Sequence, residues 1–229
     1  MDPALIISPH ADDAVLSCGQ FMAGRPDCVV ATIFLGTPKP ATRLTSFDKN
    51  CGFPSAGHAT KTRRVEDRAA LLRLHAVPRH LEYLDNQYRP PGEPWAPIAE
   101  QAAVNVAAVV DEFAVTLALG PVGLNHLDHV IAGDVFHRVL LMRPDVEGWL
   151  YEDLPSRVLT PELVPGRLDE WRSLGYDLEL GFLGTGPLKV KRDAILKYRS
   201  QKWMPEFGGP ALHNVMVPER FWQMRRRDG

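Results

Sequence analysis

Two short segments of the sequence concentrate histidine and aspartate side chains: residues 9–13 (PHADD) and residues 125–129 (NHLDH). A catalytic zinc ion in a protein usually takes three histidine or carboxylate ligands and keeps one position for water. His10 and Asp13 are three residues apart, so a single turn of chain can aim both side chains at one point. His129 can complete such a set from the second segment. The residue types therefore favour a metal-assisted hydrolytic site.

Two further side chains have roles in that hypothesis. Asp12 would stand beside the water, where a carboxylate acts as a general base. His126, one helical turn before His129, is a candidate for electrostatic stabilisation or general-acid catalysis. The same residues also have a purely structural explanation. Histidines at strand ends often bond backbone carbonyls, and an aspartate pair after a strand often caps a helix.

Each segment follows an apolar run that has the character of a buried strand. The runs are residues 4–7 (ALII) and residues 115–119 (VTLAL), and a proline ends each of them within two residues. A parallel sheet covered on both faces requires such continuously apolar strands. In α/β sheets the ligand lies beyond the carboxyl ends of the strands. We therefore expect the two histidine segments to meet at one edge of a sheet.

Apolar runs alternate with helical periodicity along the chain, which predicts an α/β fold with a mostly parallel sheet. The predicted strands cover residues 4–7, 28–34, 81–84, 115–119, 148–151 and 177–182, and the predicted helices cover residues 14–23, 63–74, 98–113, 130–142 and 189–199. Residues 36–62 are rich in proline and small polar residues. We expect them to form a long loop of the kind that serves as a lid or a binding loop.

The composition is that of a single domain spanning residues 1–229. Hydrophobic residues make up 45% and charged residues 24%, which excludes wholesale disorder. The 26 Lys and Arg are balanced by 28 Asp and Glu, so no basic excess indicates binding to nucleic acid or a membrane surface. No apolar stretch reaches the roughly 20 residues that span a bilayer, and the start lacks signal-peptide features. Three cysteines without zinc-finger spacing favour a reduced, cytoplasmic protein.

The motifs resemble those of the LmbE/PIG-L family of zinc-dependent N-deacetylases. Residues 9–19 are similar to the family's His-Pro-Asp-Asp-Glu signature and the turn that follows it, and residues 126–129 match its His-x-Asp-His motif. Further ordered matches are Arg63, Glu66, Ala69, Asp85, residues 151–155 (YEDLP), Lys191, Ala194, Ile195, Tyr198, Ser200 and Gln201. The resemblance thus extends over nearly the whole chain.

This resemblance implies a Rossmann-like three-layer fold and removal of an N-acetyl group from an amino-sugar-containing small molecule, of the N-acetylglucosamine type. It implies Zn²⁺ as the cofactor, although the same ligands also accept Fe²⁺, Co²⁺ or Mn²⁺. The residue roles it implies are metal ligation by His10, Asp13 and His129, general base catalysis by Asp12, stabilisation of the tetrahedral intermediate by His126, and contact with substrate hydroxyls by Arg63.

Three residues depart from the family pattern: Ala11 and Leu127 replace prolines, and Ala14 replaces an acidic residue. None of them is an implied ligand, so the departures bear on the substrate rather than on the metal. Two alternatives stay open. One is a non-catalytic ligand-binding or regulatory module, and the other is an amidase for a bulkier acyl group. The sugar, its aglycone, the native metal and a homo-oligomeric state are also open.

Overall fold

A computed structural model of the chain describes residues 3–184, 186–201 and 209–227. The strands are β1 Ala4–Ser8, β2 Cys28–Thr32, β3 Val77–His80, β4 Leu117–Pro121, β5 Glu147–Tyr151, β6 Tyr176–Gly181 and β7 Phe221–Arg226. The helices are α1 Asp13–Gly24, α2 Ser46–Asn50, α3 Ala56–Arg73, α4 Ala96–Phe113, α5 Leu127–Met142, α6 Ser156–Leu159, α7 Leu163–Ser173 and α8 Leu188–Ile195. None of the helices in these ranges is long and apolar enough to cross a membrane.

The strands form one sheet in the order β3-β2-β1-β4-β5-β7-β6. The first five strands of that order are parallel to one another. β7 pairs antiparallel with both β5 and β6. The structure therefore confirms the predicted α/β fold with a mostly parallel sheet. The order reverses between β2 and β4, on either side of β1, and this switch point is where open α/β sheets bind their ligands.

Helices cover both faces of the sheet, which explains why β1 is apolar at successive positions. Ile6 packs in the core cluster that contains Leu16 of α1 and Ile195 of α8. Leu5 points to the opposite face, into the cluster that contains Val106 of α4 and Val135 of α5. This arrangement is the Rossmann-like three-layer architecture. The expectation of a single domain over residues 1–229 stays a prediction.

The third strand lies four residues earlier than the sequence predicted. β3 covers Val77–His80, whereas the prediction placed the strand at residues 81–84. Pro78 lies inside β3, and proline argues against a strand unless that strand is at an edge, as β3 is. Residues 81–84 continue as extended chain, with one isolated bridge between Phe34 and Glu82.

The prediction of one long loop over residues 36–62 was wrong in part. Helix α2 lies within it, and helix α3 begins at Ala56 rather than at residue 63. Each helix is capped by a hydroxyl that accepts a backbone hydrogen bond: Thr45 Oγ1 from the amide of Asp48, at 3.1 Å, and Ser55 Oγ from the amide of His58, at 3.3 Å.

Two elements near the C-terminus were not predicted. Helix α7 has a weakly apolar sequence, and strand β7 contains Arg225 and Arg226, although the basic run at residues 225–227 by itself predicts a solvated tail. Pairing of β7 with strands on both sides orders this segment. The sequence also predicts packing roles for Trp203 and Phe207, which lie outside the described residues.

Candidate active site

A cavity of about 480 Å³ opens at the carboxyl ends of β1 and β4. The helices and loops that follow these strands line it, together with residues from α2, α3 and α6. The polar side chains relevant to chemistry are those of His10, Asp12, Asp13, Arg63, Asp85, Tyr88, His126 and His129. All six residues singled out from the sequence as ligands, catalysts or substrate contacts therefore lie around one cavity.

His10, Asp13 and His129 converge on one point at the base of this cavity. His10 Nδ1 lies 3.2 Å from Asp13 Oδ2, and His129 Nε2 lies 3.3 Å from the same oxygen. The backbone amide of His10 also donates to that oxygen, at 2.8 Å. The convergence follows from the local fold, because Asp13 opens α1 directly after the turn that carries His10.

The outer nitrogen of each histidine is held by a second, buried carboxylate. His129 Nδ1 lies 2.6 Å from Asp153 Oδ1, and His10 Nε2 lies 3.0 Å from Asp128 Oδ2. Asp153 is itself fixed by the backbone amide of Gly123, which donates to Oδ2 at 2.9 Å. Both imidazole rings are thus oriented so that their other nitrogen faces Asp13.

Asp128 is fixed in turn by residues of the segment after β3. Arg89 Nη2 donates to Asp128 Oδ1, and the backbone amide of Asn86 donates to Oδ2 at 2.8 Å. The Arg89 guanidinium also lies over the ring of Phe34, 5.4 Å from its centroid. Asp128 and Arg89 are both buried, so they form a stable support behind His10.

These contacts fit a divalent cation at the three converging side chains. One ligand atom from each of His10, Asp13 and His129 lies within 4.8 Å of the others. Histidine ligands of metals characteristically have their second nitrogen bonded to a carboxylate, which both histidines do here. A second group, formed by His10, His126 and Asp128, also has one ligand atom of each residue within 4.8 Å of the others. It fits less well, because Asp128 is already bonded by Arg89.

Asp12 lies next to this centre, and its carboxyl group makes no hydrogen bond with another described residue, although its backbone carbonyl accepts from the amide of Leu16 at 2.9 Å. Its side chain lines the cavity and is mostly buried. Burial raises the pKa of Asp12 to about 7, and the neighbouring charge of Asp13 adds to the effect. A carboxyl group with a pKa near neutrality can both take up and return a proton at physiological pH.

His126 is the N-cap residue of α5, and its ring faces that of His10 edge-on with 5.1 Å between centroids. Its Nδ1 accepts a hydrogen bond from the backbone amide of Asp128, at 3.2 Å. Burial and the charge of His10 lower the pKa of His126, which favours the neutral ring. With Nδ1 used as an acceptor, the neutral ring carries its proton on Nε2, and this nitrogen is the donor it can offer.

Opposite charges balance within the converging group. Burial by itself would raise the pKa of Asp13, but the charge of His129 and the hydrogen bond with His10 lower it well below its usual value. Burial would lower the pKa of His10, but its hydrogen bonds with Asp128 and Asp13 raise it. Burial would also lower the pKa of His129, which Asp13 and Asp153 raise. These shifts favour the ionised carboxylate of Asp13 and the protonated imidazoles of His10 and His129.

Arg63 lies on the opposite wall of the cavity. Its guanidinium stands 5.3 Å from the ring centroids of both Phe47 and Phe53, and Nη2 donates to Asp48 Oδ1 at 2.9 Å. The second oxygen of Asp48 accepts from Tyr88 Oη. The structure therefore brings Arg63 to the cavity but also ties it to a buried carboxylate. Its predicted contact with substrate hydroxyls stays a prediction.

Sequence reasoning gave no role to Asp48, Arg89, Asp128 or Asp153. A signal was present for Asp153, because it follows β5 in the way that His10 follows β1. Asp128 lies inside the recognised His-x-Asp-His motif. Asp48 and Arg89 had no such signal, since Asp48 lies in a five-residue helix that is too short to show periodicity and Arg89 lies in an irregular segment.

The geometry agrees with the comparison with known families. The model for the family described as PIG-L, GlcNAc-PI de-N-acetylase, matches residues 5–140. The chain belongs to this family. The match includes both histidine segments and ends within α5, and it confirms the resemblance seen in the motifs. Curated protein sequences give no significant match.

Solved structures are similar to the chain over nearly its whole length, including the part beyond residue 140 that the family model does not match. The zinc-inhibited form of teicoplanin deacetylase Orf2 is 24% identical, with a TM-score of 0.80 over 99% of each chain. The N,N′-diacetylchitobiose deacetylase of Pyrococcus horikoshii is 16% identical, with a TM-score of 0.54 over 98% of this chain and 84% of that one. At these identities the likeness shows the shared fold.

The same fold also supports a different reaction. GalB, the 4-carboxy-2-hydroxymuconate hydratase of Pseudomonas putida KT2440, is 16% identical, with a TM-score of 0.58 over 100% of this chain and 99% of that one. Membership of the PIG-L family therefore has to be combined with the site itself before a reaction is assigned.

Proposed function

We propose that this protein is a divalent-cation-dependent N-deacetylase that hydrolyses the acetamide of an amino-sugar-containing small molecule. The observation that carries the proposal is the pair of histidines His10 and His129, which face Asp13 while buried carboxylates hold their outer nitrogens. Beside this site, the carboxyl group of Asp12 makes no hydrogen bond with a described residue. Such an arrangement suits the hydrolysis of an amide by activated water.

His10, Asp13 and His129 would hold the cation. When bound, a cation of this kind acts as a Lewis acid and lowers the pKa of water to about 7, for zinc. We favour zinc, because three histidine and carboxylate ligands are typical of catalytic zinc sites. The same ligands accept Fe²⁺, Co²⁺ and Mn²⁺, which are therefore the substitutes.

Asp12 is the general base. Its carboxylate takes a proton from the attacking water and gives it to the departing amine nitrogen, so that one residue serves both steps. The pKa of about 7, raised by burial, places the carboxylate close to the balance that such an exchange requires. A bound cation would lower that value and increase the ionised fraction.

His126 stabilises the negative charge that develops on the acetyl oxygen. The backbone amide of Asp128 occupies its Nδ1, so the neutral ring presents Nε2–H as the donor. One such donor is typically worth about 3–4 kcal/mol in the transition state. The lowered pKa of His126, which burial causes, keeps the ring neutral at physiological pH.

Arg63 and its surroundings receive the sugar. The guanidinium lies between Phe47 and Phe53, and the cavity is large enough for a monosaccharide with part of its aglycone. The proposal of an amino sugar is supported by the name of the family and by the diacetylchitobiose deacetylase among the structural neighbours.

Acetate release tests the proposal. The purified protein, loaded separately with Zn²⁺, Fe²⁺, Co²⁺ and Mn²⁺, is incubated with a panel of N-acetylglucosamine derivatives, and free acetate and free amine are quantified. We expect equal amounts of both, and loss of both in Asp12→Asn. Turnover of N-propionyl or longer acyl analogues in preference to N-acetyl would instead assign an amidase for bulkier acyl groups.

Failure of every cation to support acetate release, with the cation demonstrably bound, would contradict the deacetylase proposal. Hydration of an unsaturated carboxylate by the same loaded protein would then favour the reaction of the hydratase neighbour. A cytoplasmic location, a homo-oligomeric state and the absence of nucleic-acid binding remain predictions from the sequence.

A further inference from the structure

Helices α3 and α8 pack against each other on the same face of the sheet. Leu71 of α3 and Ile195 of α8 belong to one core cluster, and Arg73 Nη2 lies 3.0 Å from Asp193 Oδ2 across the contact between the helices. The sides of both helices that point away from the sheet therefore form one surface. We call this surface, together with the exposed residues that follow α8 up to Arg199, the α3–α8 face.

The exposed charges of the α3–α8 face are almost all positive. Asp193 is the one carboxylate of this face that reaches the surface in the described residues, and Arg73 pairs with it. Glu66 and Asp67, the other acidic residues of α3, are buried. Six cationic side chains of the face are exposed and form no ion pair within the described part of the chain: Lys61, Arg68, Lys189, Arg192, Lys197 and Arg199. This excess of positive charge is concealed by the balanced composition of the whole chain.

The helices on the opposite face of the sheet have compensated charges. Asp111 of α4 pairs with Arg143, which follows α5, and Asp134 of α5 pairs with Arg138 at 3.0 Å. Such pairs offset each other's fields and are typical of a helix surface that faces only water. The α3–α8 face lacks this compensation, and a surface with charge of one sign attracts a partner of the opposite sign.

The α3–α8 face also exposes large apolar side chains among its cations. Four of them have exposed fractions between 43% and 75%: Val65, Leu72, Leu188 and Leu196. On α3, basic and apolar residues alternate at spacings of four, three and four, which gives a single stripe about 17 Å long: Lys61, Val65, Arg68 and Leu72. Mixed basic and apolar side chains on an outer helix surface are typical of helices that lie on membranes. Nucleic acid would contact the cations alone, because its binding depends mainly on phosphate contacts.

We propose that the α3–α8 face binds the surface of an anionic lipid bilayer. Its cations would contact the lipid phosphates, while Val65, Leu72 and Leu196 would reach the boundary between headgroups and acyl chains. The binding is peripheral and reversible. Arg63, on the inner side of α3, lines the catalytic cavity, so the bound lipid surface would lie about one helix diameter, roughly 10 Å, from that cavity.

Co-sedimentation with lipid vesicles tests this proposal on the cation-loaded protein, with free cation removed so that it cannot bridge protein and lipid. The vesicles contain phosphatidylcholine alone, or phosphatidylcholine with about 30% phosphatidylglycerol. In about 0.1 M salt, we expect at least about tenfold stronger association with the anionic vesicles, falling when the salt is raised to about 0.5 M. No association with either kind of vesicle, or equal association with both, would overturn the proposal.

Two double variants test the role of the cations. Arg68→Gln combined with Arg192→Gln should weaken association with anionic vesicles about tenfold or more. Arg138→Gln combined with Arg143→Gln removes the same charge from the opposite face and should associate like the wild type. Equal losses in both double variants would show that only the net charge of the protein matters, which would contradict a binding face.

A second pair of variants tests the apolar contact and separates a membrane from nucleic acid. Leu72→Ser should weaken association with anionic vesicles severalfold, whereas Val104→Ser, at an exposed apolar position of α4, should not. A short duplex DNA is titrated in parallel. DNA binding that is lost in the Arg68 and Arg192 double variant, together with unchanged vesicle association of Leu72→Ser, would assign the face to nucleic acid and overturn the proposal. Circular dichroism verifies that each variant is folded.

Discussion

The two walls of the catalytic cavity are built in different ways. On one wall, His10, Asp13 and His129 follow directly from buried strands of the sheet, and carboxylates fix both imidazoles. On the other wall, Asp48 and Arg63 come from the short helix α2 and from α3, joined to irregular segments. We infer that the sheet-supported wall determines the reaction and that the α2 wall determines which substrate is accepted.

The largest expected effect is a loss of kcat caused by a substitution on the first wall. Asp12→Asn removes the proposed general base and should lower kcat by about 10²- to 10⁴-fold. The bound cation and the KM should change little, because Asp12 is not a proposed ligand. Steady-state kinetics with cation analysis of the same preparation measures both, and a variant that keeps wild-type kcat would exclude Asp12 as the base.

The next effect is a loss of cation affinity when the carboxylate that orients His129, a proposed ligand, is altered. Asp153→Asn disturbs the 2.6 Å contact with His129 Nδ1 and should weaken cation affinity about 10- to 100-fold. Competition with a chelator gives the affinity. Asp111→Asn, which alters an exposed carboxylate of α4, is the matched control and should bind the cation like the wild type. If both variants bind equally, the contact with Asp153 does not orient the ligand.

The protonation of His10 and His129 on the first wall predicts that cation affinity depends on pH. The pKa values of His10 and His129 are raised by neighbouring carboxylates, so protons compete with a cation below those raised values. Cation affinity should therefore rise as pH increases, by about tenfold per pH unit for each proton displaced. Titrations at several pH values between 5.5 and 8 measure the slope. An affinity that is independent of pH would be incompatible with histidine ligands.

The smallest expected effect is a change in KM caused by substitutions on the α2 wall. Asp48→Asn keeps the size of the side chain but weakens the ion pair with Arg63, and should raise KM about tenfold with little change in kcat or bound cation. Tyr88→Phe, which removes the other hydrogen bond to Asp48, should act in the same direction but less strongly. A fall in kcat without a change in KM would show that the two walls are not separate in function.

The same division explains what the sequence could predict. The ends of β1 and β4 were recognisable because apolar runs, followed by polar residues, identify buried strands and the edge at which ligands bind. Family motifs pointed to the same residues. Asp153 could have been found by applying this rule to β5, whose apolar run was also predicted.

The remaining elements depend on contacts that no local pattern reveals. Pro78 argues against a strand at β3 when only the sequence is considered. The strand tolerates this proline because it lies at the edge of the sheet. Asp48 lies in a segment without periodicity, and its role depends on Arg63 and Tyr88, which are distant in sequence. Arg89 supports His10 only through Asp128. Its role can therefore be inferred only when both of these tertiary contacts are known.

Elemental analysis of purified protein decides whether His10 and His129 hold a cation. It compares the wild type with His10→Ala, His129→Ala and Asp12→Asn prepared in parallel. We expect about one divalent cation per chain in the wild type and in Asp12→Asn, and little in either histidine variant. Full loading of a folded His10→Ala or His129→Ala protein, or no cation in the wild type after reconstitution, would contradict this expectation.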